Sequence, residues 1–308
     1  MTGRNYICFH FVLLKASFKA HIAVLLTNLF FAINYSFVKK IAPSLIGPYG
    51  LNILRVGGSL LLFWTAWVFS REKSRPAKKD IGRFILCGLL GVALNQMLFI
   101  KGLTMTTAIH ASLLMLCSPI LITLLAFLIL RETVSLVNGA GLALGIAGSV
   151  WLILGQRAGS QPAGYLLGDL LVVLNAISYA FYFVLVRPLM KRYSPLEVIR
   201  WVFSFGFLMM LPLGWPQVQS VNWSAFTLPS AGILFFVIFA GTFLAYLFNA
   251  YGIHILGPGT TSAYIYVQLL FAVSIAVLFF GEELTMEKTI AGLLILLGVY
   301  LATLRKKE

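Results

Sequence analysis

Long apolar runs follow one another along almost the whole 308-residue chain, with short polar stretches between them. A helix needs about 20 apolar residues to cross the hydrocarbon core of a bilayer. Charged residues make up 10% of the chain and hydrophobic ones 60%, whereas about a quarter of a soluble domain is charged. Because so few charges cannot cover a water-facing surface, the sequence predicts an integral membrane protein.

The apolar runs predict an all-α protein with ten transmembrane helices, separated mostly by Pro, Gly and charged residues. The runs are continuous and do not alternate, which excludes a β-barrel. The predicted spans are 21–39, 50–70, 82–103, 107–130, 135–155, 165–187, 196–214, 230–252, 258–280 and 287–304.

Lys and Arg are distributed unequally between the two sides of these spans. About 16 lie on the side of the N-terminus, and about five on the other, namely Lys39, Lys40, Lys101, Arg157 and Lys288. The positive-inside rule therefore predicts that both termini lie in the cytoplasm. We expect a multi-pass protein of a bacterial inner membrane. The net charge of +14 is spread over loops and helix ends, so we expect contact with the lipid bilayer and none with nucleic acid.

An internal repeat connects the two halves of the chain. Shifted by 150 residues, the segment 85–155 aligns without a gap on 235–305. Upstream, a shift of 147 residues gives further matches. The matched pairs include Gly91 with Gly241, Ser112 with Ser262, Glu132 with Glu282, Gly148 with Gly298, Asn28 with Asn175, and Tyr35 with Tyr182. Apolar composition alone does not readily align glycines and glutamates in this way.

Each copy of the repeat holds five spans, and this odd number places the second copy upside down relative to the first. Inverted repeats are typical of alternating-access carriers, which bind their solute near the midplane between the halves. We therefore predict two inverted five-helix repeats (5+5), at 20–155 and 164–304. The expected flanks are an N-terminal cytoplasmic segment, 1–19, without a signal-peptide cleavage site, and a cytoplasmic tail, 305–308.

The ten-span layout resembles the EamA family of the drug/metabolite transporter superfamily. The segments that carry the resemblance are Arg131-Glu132 closing the fourth span, Gly281-Glu282-Glu283 closing the ninth, Ser194-Pro195-Leu196-Glu197 opening the seventh, and Gly257 through Ala263 opening the ninth. The resemblance implies a membrane carrier, mostly a bacterial exporter of amino acids or other metabolites, in some members driven by protons. The first copy has Arg131 where the second has Gly281, and we expect little effect on the fold.

Polar residues near the centre of the spans are costly in hydrocarbon and usually face a cavity or another helix. Amides and tyrosines of this kind can bind a zwitterion or a planar polar solute. They can also link helices by hydrogen bonds. We predict that the following nine line a solute-binding cavity: Asn34, Tyr35, Asn95, Gln96, Asn175, Tyr179, Tyr182, Tyr246 and Gln268.

Two features of the spans can each be interpreted in two ways. Pro119 removes a helical hydrogen bond from the Met115 carbonyl, so it marks a hinge or a fixed kink. Gly141 and Gly145 form a Gly-x-x-x-Gly pair, with Gly148 following, and allow a close helix contact within the chain or in a homodimer.

Ionisable residues are rare inside the spans. Arg55 and Arg200 lie near span ends and either extend to the interface, form a salt bridge or contact an anion. No carboxylate falls at a span centre, so coupling to protons would require residues nearer the ends, with His110 and His254 as candidates beside a purely interfacial role.

Other classes of protein remain as alternatives. A sugar-phosphate or nucleotide-sugar exchanger would need several cationic groups in its cavity. A membrane enzyme is disfavoured because no catalytic or phosphate-binding motif is present. The three cysteines, Cys8, Cys87 and Cys117, form no cluster with histidine, so we expect no metal site and no cofactor.

Overall fold

The computed structural model of the chain describes residues 3–70, 74–130, 136–154 and 164–303, and these ranges contain helix and no strand. The Arg131-Glu132 motif, Arg157 and residues from 304 onward lie outside the described residues, as do 71–73. The α-helices are α1 (Gly3–Ile41), α2 (Pro48–Val68), α3 (Ile81–Gly88), α4 (Leu94–Met105), α5 (Ala108–Met115), α6 (Cys117–Leu130), α7 (Leu136–Leu154), α8 (Tyr165–Met190), α9 (Pro195–Gln219), α10 (Leu228–Ile238), α11 (Ala245–Ala263), α12 (Ile265–Phe280) and α13 (Met286–Thr303).

The helices have the lengths and composition of a multi-pass membrane protein. A helix lies over each predicted span, and α1 begins well before residue 21. Within the described ranges, six stretches are long and apolar enough to cross a bilayer, namely Ser17–Ile41, Pro48–Val68, Lys78–Met105, Tyr165–Met190, Pro195–Gln219 and Leu228–Gly257. Three further apolar helices are shorter, at Ala108–Ile122, Gly139–Leu152 and Ile265–Phe280.

Two of the long stretches contain a π-helical segment, and these segments lie at matching positions of the repeat. Leu89–Ala93 joins α3 to α4, and Phe239–Leu244 joins α10 to α11. A glycine near the middle of each allows a side chain to approach closely. A Cβ atom on Gly91 would overlap the ring of Tyr182, and a Cβ on Gly241 would lie 2.8 Å from Oδ1 of Asn34. Single-turn π segments are frequent at functional sites.

The fourth predicted span is broken near Pro119. Helix α5 ends at Met115 and α6 begins at Cys117, with Leu116 between them in a turn. The break falls where proline removes the donor for the Met115 carbonyl. The role of Pro119 as a hinge stays a prediction.

Helix packing has the same pattern in both halves of the chain. Helix α1 packs on α11 and α12, and α8 packs on α4 and α6. The repeat relates α1 to α8, α4 to α11 and α6 to α12, so exchanging the halves reproduces these contacts. The halves also meet where α2 packs on α9 and where α7 packs on α13.

The contact between α7 and α13 depends on glycine. A Cβ atom on Gly298 would overlap the backbone of Gly145 and lie 2.8 Å from the carbonyl oxygen of Gly141. Without side chains at these positions the two helix backbones can approach closely. The Gly-x-x-x-Gly pair of α7 therefore serves a contact within the chain.

Candidate functional site

The nine residues predicted to line a cavity are brought together by the fold. They surround one cavity of about 900 Å³, between helices of the two halves. Its lining residues are Phe31, Asn34, Tyr35, Arg55, Asn95, Gln96, Phe99, Met115, Asn175, Tyr179, Tyr182, Met190, Ile199, Tyr246, Asn249, Ala250, Ile253, Ile265 and Gln268.

Two amide–hydroxyl hydrogen bonds hold the wall of the cavity. Nε2 of Gln96 donates to the hydroxyl of Tyr246 at 2.7 Å, and Nε2 of Gln268 donates to the hydroxyl of Tyr35 at 2.9 Å. The first bond joins α4 to α11, and the second joins α12 to α1. Each therefore connects a helix of one half to a helix of the other.

Two asparagines form a reciprocal link between α4 and α8. Nδ2 of Asn175 donates to the carbonyl oxygen of Asn95 at 2.7 Å. Nδ2 of Asn95 donates to the carbonyl oxygen of Asn175 at 3.3 Å. Their amide groups thus hold the two backbones together while both residues face the cavity. The two roles considered for polar residues, linking helices and lining a site, coincide here.

Arg55 is a buried cation in the cavity wall, with 3% of the residue exposed. Its Nε donates to Oγ1 of Thr242 at 3.1 Å, and Thr242 in turn donates to the carbonyl oxygen of Val237 at 2.8 Å. The π-helical segment thus fixes the guanidinium. Nη1 of Arg55 has no hydrogen-bond partner among the described residues, and no carboxylate is among the lining residues that the structure describes. Arg55 therefore faces the cavity and does not extend to the membrane interface.

Three amide oxygens of the cavity lining also lack a hydrogen-bond partner among the described residues. They are Oδ1 of Asn34, Oε1 of Gln96 and Oδ1 of Asn175. A buried polar group without a partner costs about 1–3 kcal/mol. The residues that line the cavity thus provide one cationic hydrogen-bond donor and three amide acceptors without partners, and a polar solute could satisfy them.

Several lining residues were not predicted from the sequence. Asn249 lies three residues after Tyr246 on α11, so its spacing marks it as a member of the same face. Phe31, Phe99, Met115 and the isoleucines are indistinguishable by type from lipid-facing residues, and the sequence carried no signal for them.

Arg200, by contrast, lies outside the cavity lining. Its Nη2 donates to Oε1 of Glu197 at 2.5 Å, and both side chains are buried. The guanidinium carbon lies 4.3 Å from the ring centroid of Trp64 and 4.0 Å from that of Trp67. Arg200 thus forms a salt bridge in an aromatic cluster between α2 and α9.

The two candidate histidines also lie outside the cavity lining and differ from each other. His110 is buried, with Nδ1 3.2 Å from Oδ2 of Asp169. His254 is exposed. The structure therefore places one of them in a buried pair with a carboxylate.

A multi-pass helical protein with a cavity between its two halves, lined by apolar residues and a few polar ones, has the architecture of a membrane transporter. The model of the EamA-like transporter family matches this chain twice, over residues 18–154 and 166–304. The chain belongs to the EamA-like transporter family. The family match confirms the resemblance predicted from the sequence.

Individual relatives agree with this assignment. The chain is 26% identical over 265 residues to YetK, an uncharacterized transporter of Bacillus subtilis, with 84% of this chain and 78% of YetK covered. It is 32% identical over 139 residues to a protein of Streptantibioticus cattleyicolor named a probable terminal-alkyne amino-acid exporter, with 45% of this chain and 46% of that protein covered. A crystal structure with 19% sequence identity matches with a TM-score of 0.63 over 94% of this chain and 96% of the other, which shows a common fold.

Proposed function

We propose that this transporter is a secondary carrier that exports small metabolites of the amino-acid type across an inner membrane. In this proposal ten transmembrane helices form two inverted five-helix repeats, 20–155 and 164–304, and both termini are cytoplasmic. The solute binds between the repeats and reaches each side of the membrane in turn.

The observation that carries the proposal is the set of buried polar atoms without a hydrogen-bond partner on residues that line the cavity. An α-amino acid presents a carboxylate and an ammonium group. The guanidinium of Arg55 suits the carboxylate, because arginine binds carboxylates through parallel N–H donors. The free amide oxygens of Asn34, Gln96 and Asn175 suit the ammonium group, which carries three donors. The apolar lining residues then accommodate an uncharged side chain.

The matched irregularities of the two halves support the inverted-repeat mechanism. The π-helical segments recur 150 residues apart, and the helix contacts recur under exchange of the halves. A structure built from two equivalent halves can rock between two related arrangements around a central site.

A sugar-phosphate or nucleotide-sugar exchanger is the alternative on the same fold. A phosphate group is usually bound by several cationic side chains. Among the described lining residues Arg55 is the one charged side chain, so the cavity suits a single carboxylate better. The relative named as an amino-acid exporter also favours the first proposal.

Solute counterflow in proteoliposomes tests the function. Vesicles loaded with an unlabelled solute are diluted into the same labelled solute, using a panel of leucine, phenylalanine, methionine, serine, lysine and glutamate, with glucose 6-phosphate as the phosphate probe. We expect transient accumulation of labelled uncharged amino acids above protein-free vesicles. Accumulation of glucose 6-phosphate alone would favour the exchanger. If no solute of the panel accumulates above protein-free vesicles, amino-acid export is refuted.

A further inference from the structure

Gly91 and the ring of Tyr182 meet at one wall of the cavity, where the first π-helical segment packs against α8. A Cβ atom on Gly91 would lie 2.7 Å from Cγ of Tyr182 and 2.8 Å from its Cε2, and closer still to its Cδ2. Carbon atoms in contact are normally about 3.5–4.0 Å apart. The ring therefore occupies space that any side chain at position 91 would need, and glycine permits this position of the ring.

Hydrogen bonds fix the distance between α8 and the helical stretch that carries Gly91. Oγ of Ser178, one turn before the tyrosine on α8, donates to the carbonyl oxygen of Leu90 at 2.7 Å. Further along, the reciprocal bonds of Asn175 and Asn95, at 2.7 and 3.3 Å, join the same two backbones. A methyl group at position 91 would therefore displace the tyrosine ring and leave the two helices in place.

The cavity is the open side of this ring. Tyr182 lines the cavity, and its other side packs against the hydrophobic core cluster that contains Phe84, Cys87 and Val186. A packed core resists the insertion of even one methylene group, whereas the cavity offers unfilled space. The displacement of about 1 Å that ordinary contact distances require therefore moves the ring into the cavity.

One other glycine has a comparable position. Among the glycines whose surroundings the structure describes, Gly91 and Gly241 are the two whose nearest side chains line the cavity. A Cβ atom on Gly241 would lie 2.8 Å from Oδ1 and 3.1 Å from Cγ of Asn34, one of the amide oxygens without a partner. The two π-helical segments thus position different groups, a ring in one half of the chain and an amide in the other.

We propose that Gly91 is a specificity-determining position that sets, through Tyr182, the size of the solute side chain that the cavity accepts. The inference rests on the proposed function. Arg55 and the amide oxygens are assigned to the carboxylate and ammonium groups that all α-amino acids share, so they do not distinguish one side chain from another. The position of an apolar wall does distinguish side chains by size. Gly91 is not itself among the described lining residues and acts as a positioning residue.

The test compares a large and a small solute in the counterflow assay. The large solute is whichever of leucine, methionine and phenylalanine the wild type exchanges fastest, and the small one is serine. We expect Gly91→Ala to raise the KM for the large solute relative to that for serine by about tenfold, as misfit in a hydrophobic pocket does. The readout is this ratio, which a loss of folded protein does not change.

Two further glycine-to-alanine substitutions are matched controls. Gly241→Ala adds the same methyl group to the equivalent π-helical segment, next to a group assigned to the shared ammonium. It should therefore raise both KM values alike and leave their ratio unchanged. Gly82→Ala lies on α3, where a Cβ atom meets nothing within 4 Å, and should match the wild type in both KM values. A change of the ratio in Gly241→Ala equal to that in Gly91→Ala would overturn the inference.

A double-mutant cycle shows whether the effect passes through the ring. Tyr182→Ala removes the atoms that the new methyl group would meet. Both KM values of Gly91→Ala/Tyr182→Ala should therefore equal those of Tyr182→Ala alone. If the methyl group instead acts through the conformation of the helix, it changes the ratio with and without the ring, and the inference is overturned.

Tyr182→Ala alone tests the inference even if Gly91→Ala does not fold. Removing the ring enlarges the cavity beside position 91, so the KM for the large solute should fall relative to that for serine. An unchanged ratio in Tyr182→Ala, or in folded Gly91→Ala, would overturn the inference and leave the transport function standing. Absence of wild-type counterflow for every amino acid of the panel would refute the transport function and this inference with it.

Discussion

Gln96 and Tyr246 occupy equivalent positions of the two repeats, 150 residues apart, and a hydrogen bond of 2.7 Å joins their side chains across the cavity wall. Tyr35 and Gln268, which are not equivalent in the repeat, form a second amide–hydroxyl bond between the halves, from α12 to α1. Residues that the repeat makes equivalent thus meet at the interface of the halves. Any relative motion of the halves would therefore change the hydrogen bonds in the cavity wall.

Removing the hydroxyl of Tyr246 should loosen this interface. Tyr246→Phe leaves Nε2 of Gln96 without its acceptor, and hydrogen bonds between membrane helices contribute about 0.6–2 kcal/mol. We expect a lower melting temperature in detergent and a higher KM for the transported solute. Tyr251→Phe is the control, because Tyr251 lies on the same helix and its hydroxyl forms no bond among the described residues. Equal effects of the two substitutions would contradict the role of the bond.

Bulk at Gly298 should separate α7 from α13. In Gly298→Leu the new side chain collides with the backbone of Gly145, and overpacking of a tight contact costs about 1–3 kcal/mol or more. We expect a lower melting temperature and less folded protein in size-exclusion chromatography. Gly139→Leu on α7 is the matched control, since a Cβ there meets nothing within 4 Å. If Gly298→Leu melts like Gly139→Leu, the close contact does not exist in solution.

The positions of the polar cavity residues could be predicted because hydrocarbon forces such side chains inward. Asn175, Tyr179 and Tyr182 share one helix face through spacings of 3 and 4, and the structure places that face on the cavity. For Arg55 the distance from the span end did not reveal the direction of the side chain. That direction is set by Thr242, a contact nearly 190 positions away in sequence.

The remaining features depend on contacts that sequence alone does not encode. The match of Gly91 with Gly241 was visible in the repeat, but the sequence did not indicate the π-helical segments around them or the close approach of Tyr182 and Asn34. The pairing of His110 with Asp169 could not be predicted without the fold either, because the two residues lie on different helices, 59 positions apart in sequence.

The carboxylate of Glu282 should stabilise the start of α5. Glu282→Gln removes the negative charge next to two backbone N–H groups and Lys39, and a helix N-terminus favours such a charge by about 0.5–2 kcal/mol. We therefore expect a lower melting temperature. The neighbouring Glu283 is exposed, so Glu283→Gln should leave the melting temperature close to that of the wild type. A melting temperature of Glu282→Gln equal to that of Glu283→Gln would show that the cap contributes nothing.

Arg55 should determine recognition of the solute carboxylate. Hydrogen bonds to charged groups contribute about 1.5–3 kcal/mol, so Arg55→Gln should raise the KM for a transported amino acid by about ten- to a hundredfold. Arg55→Lys keeps the charge without the two-pronged donor, and we expect an intermediate KM. Arg83→Gln, at an exposed position of α3, removes the same charge away from the cavity and should leave the KM unchanged.

A matched pair of solutes distinguishes recognition from a loss of folding. Leucine carries the carboxylate, whereas leucine amide has the same side chain and amino group without it. If Arg55 binds the carboxylate, inhibition constants for the wild type should favour leucine, and Arg55→Gln should reduce that preference by the same factor by which it raises the KM for leucine. A general defect would weaken both compounds equally. Retention of the full preference in Arg55→Gln would show that another group binds the carboxylate, and the proposed orientation of the solute would then be wrong.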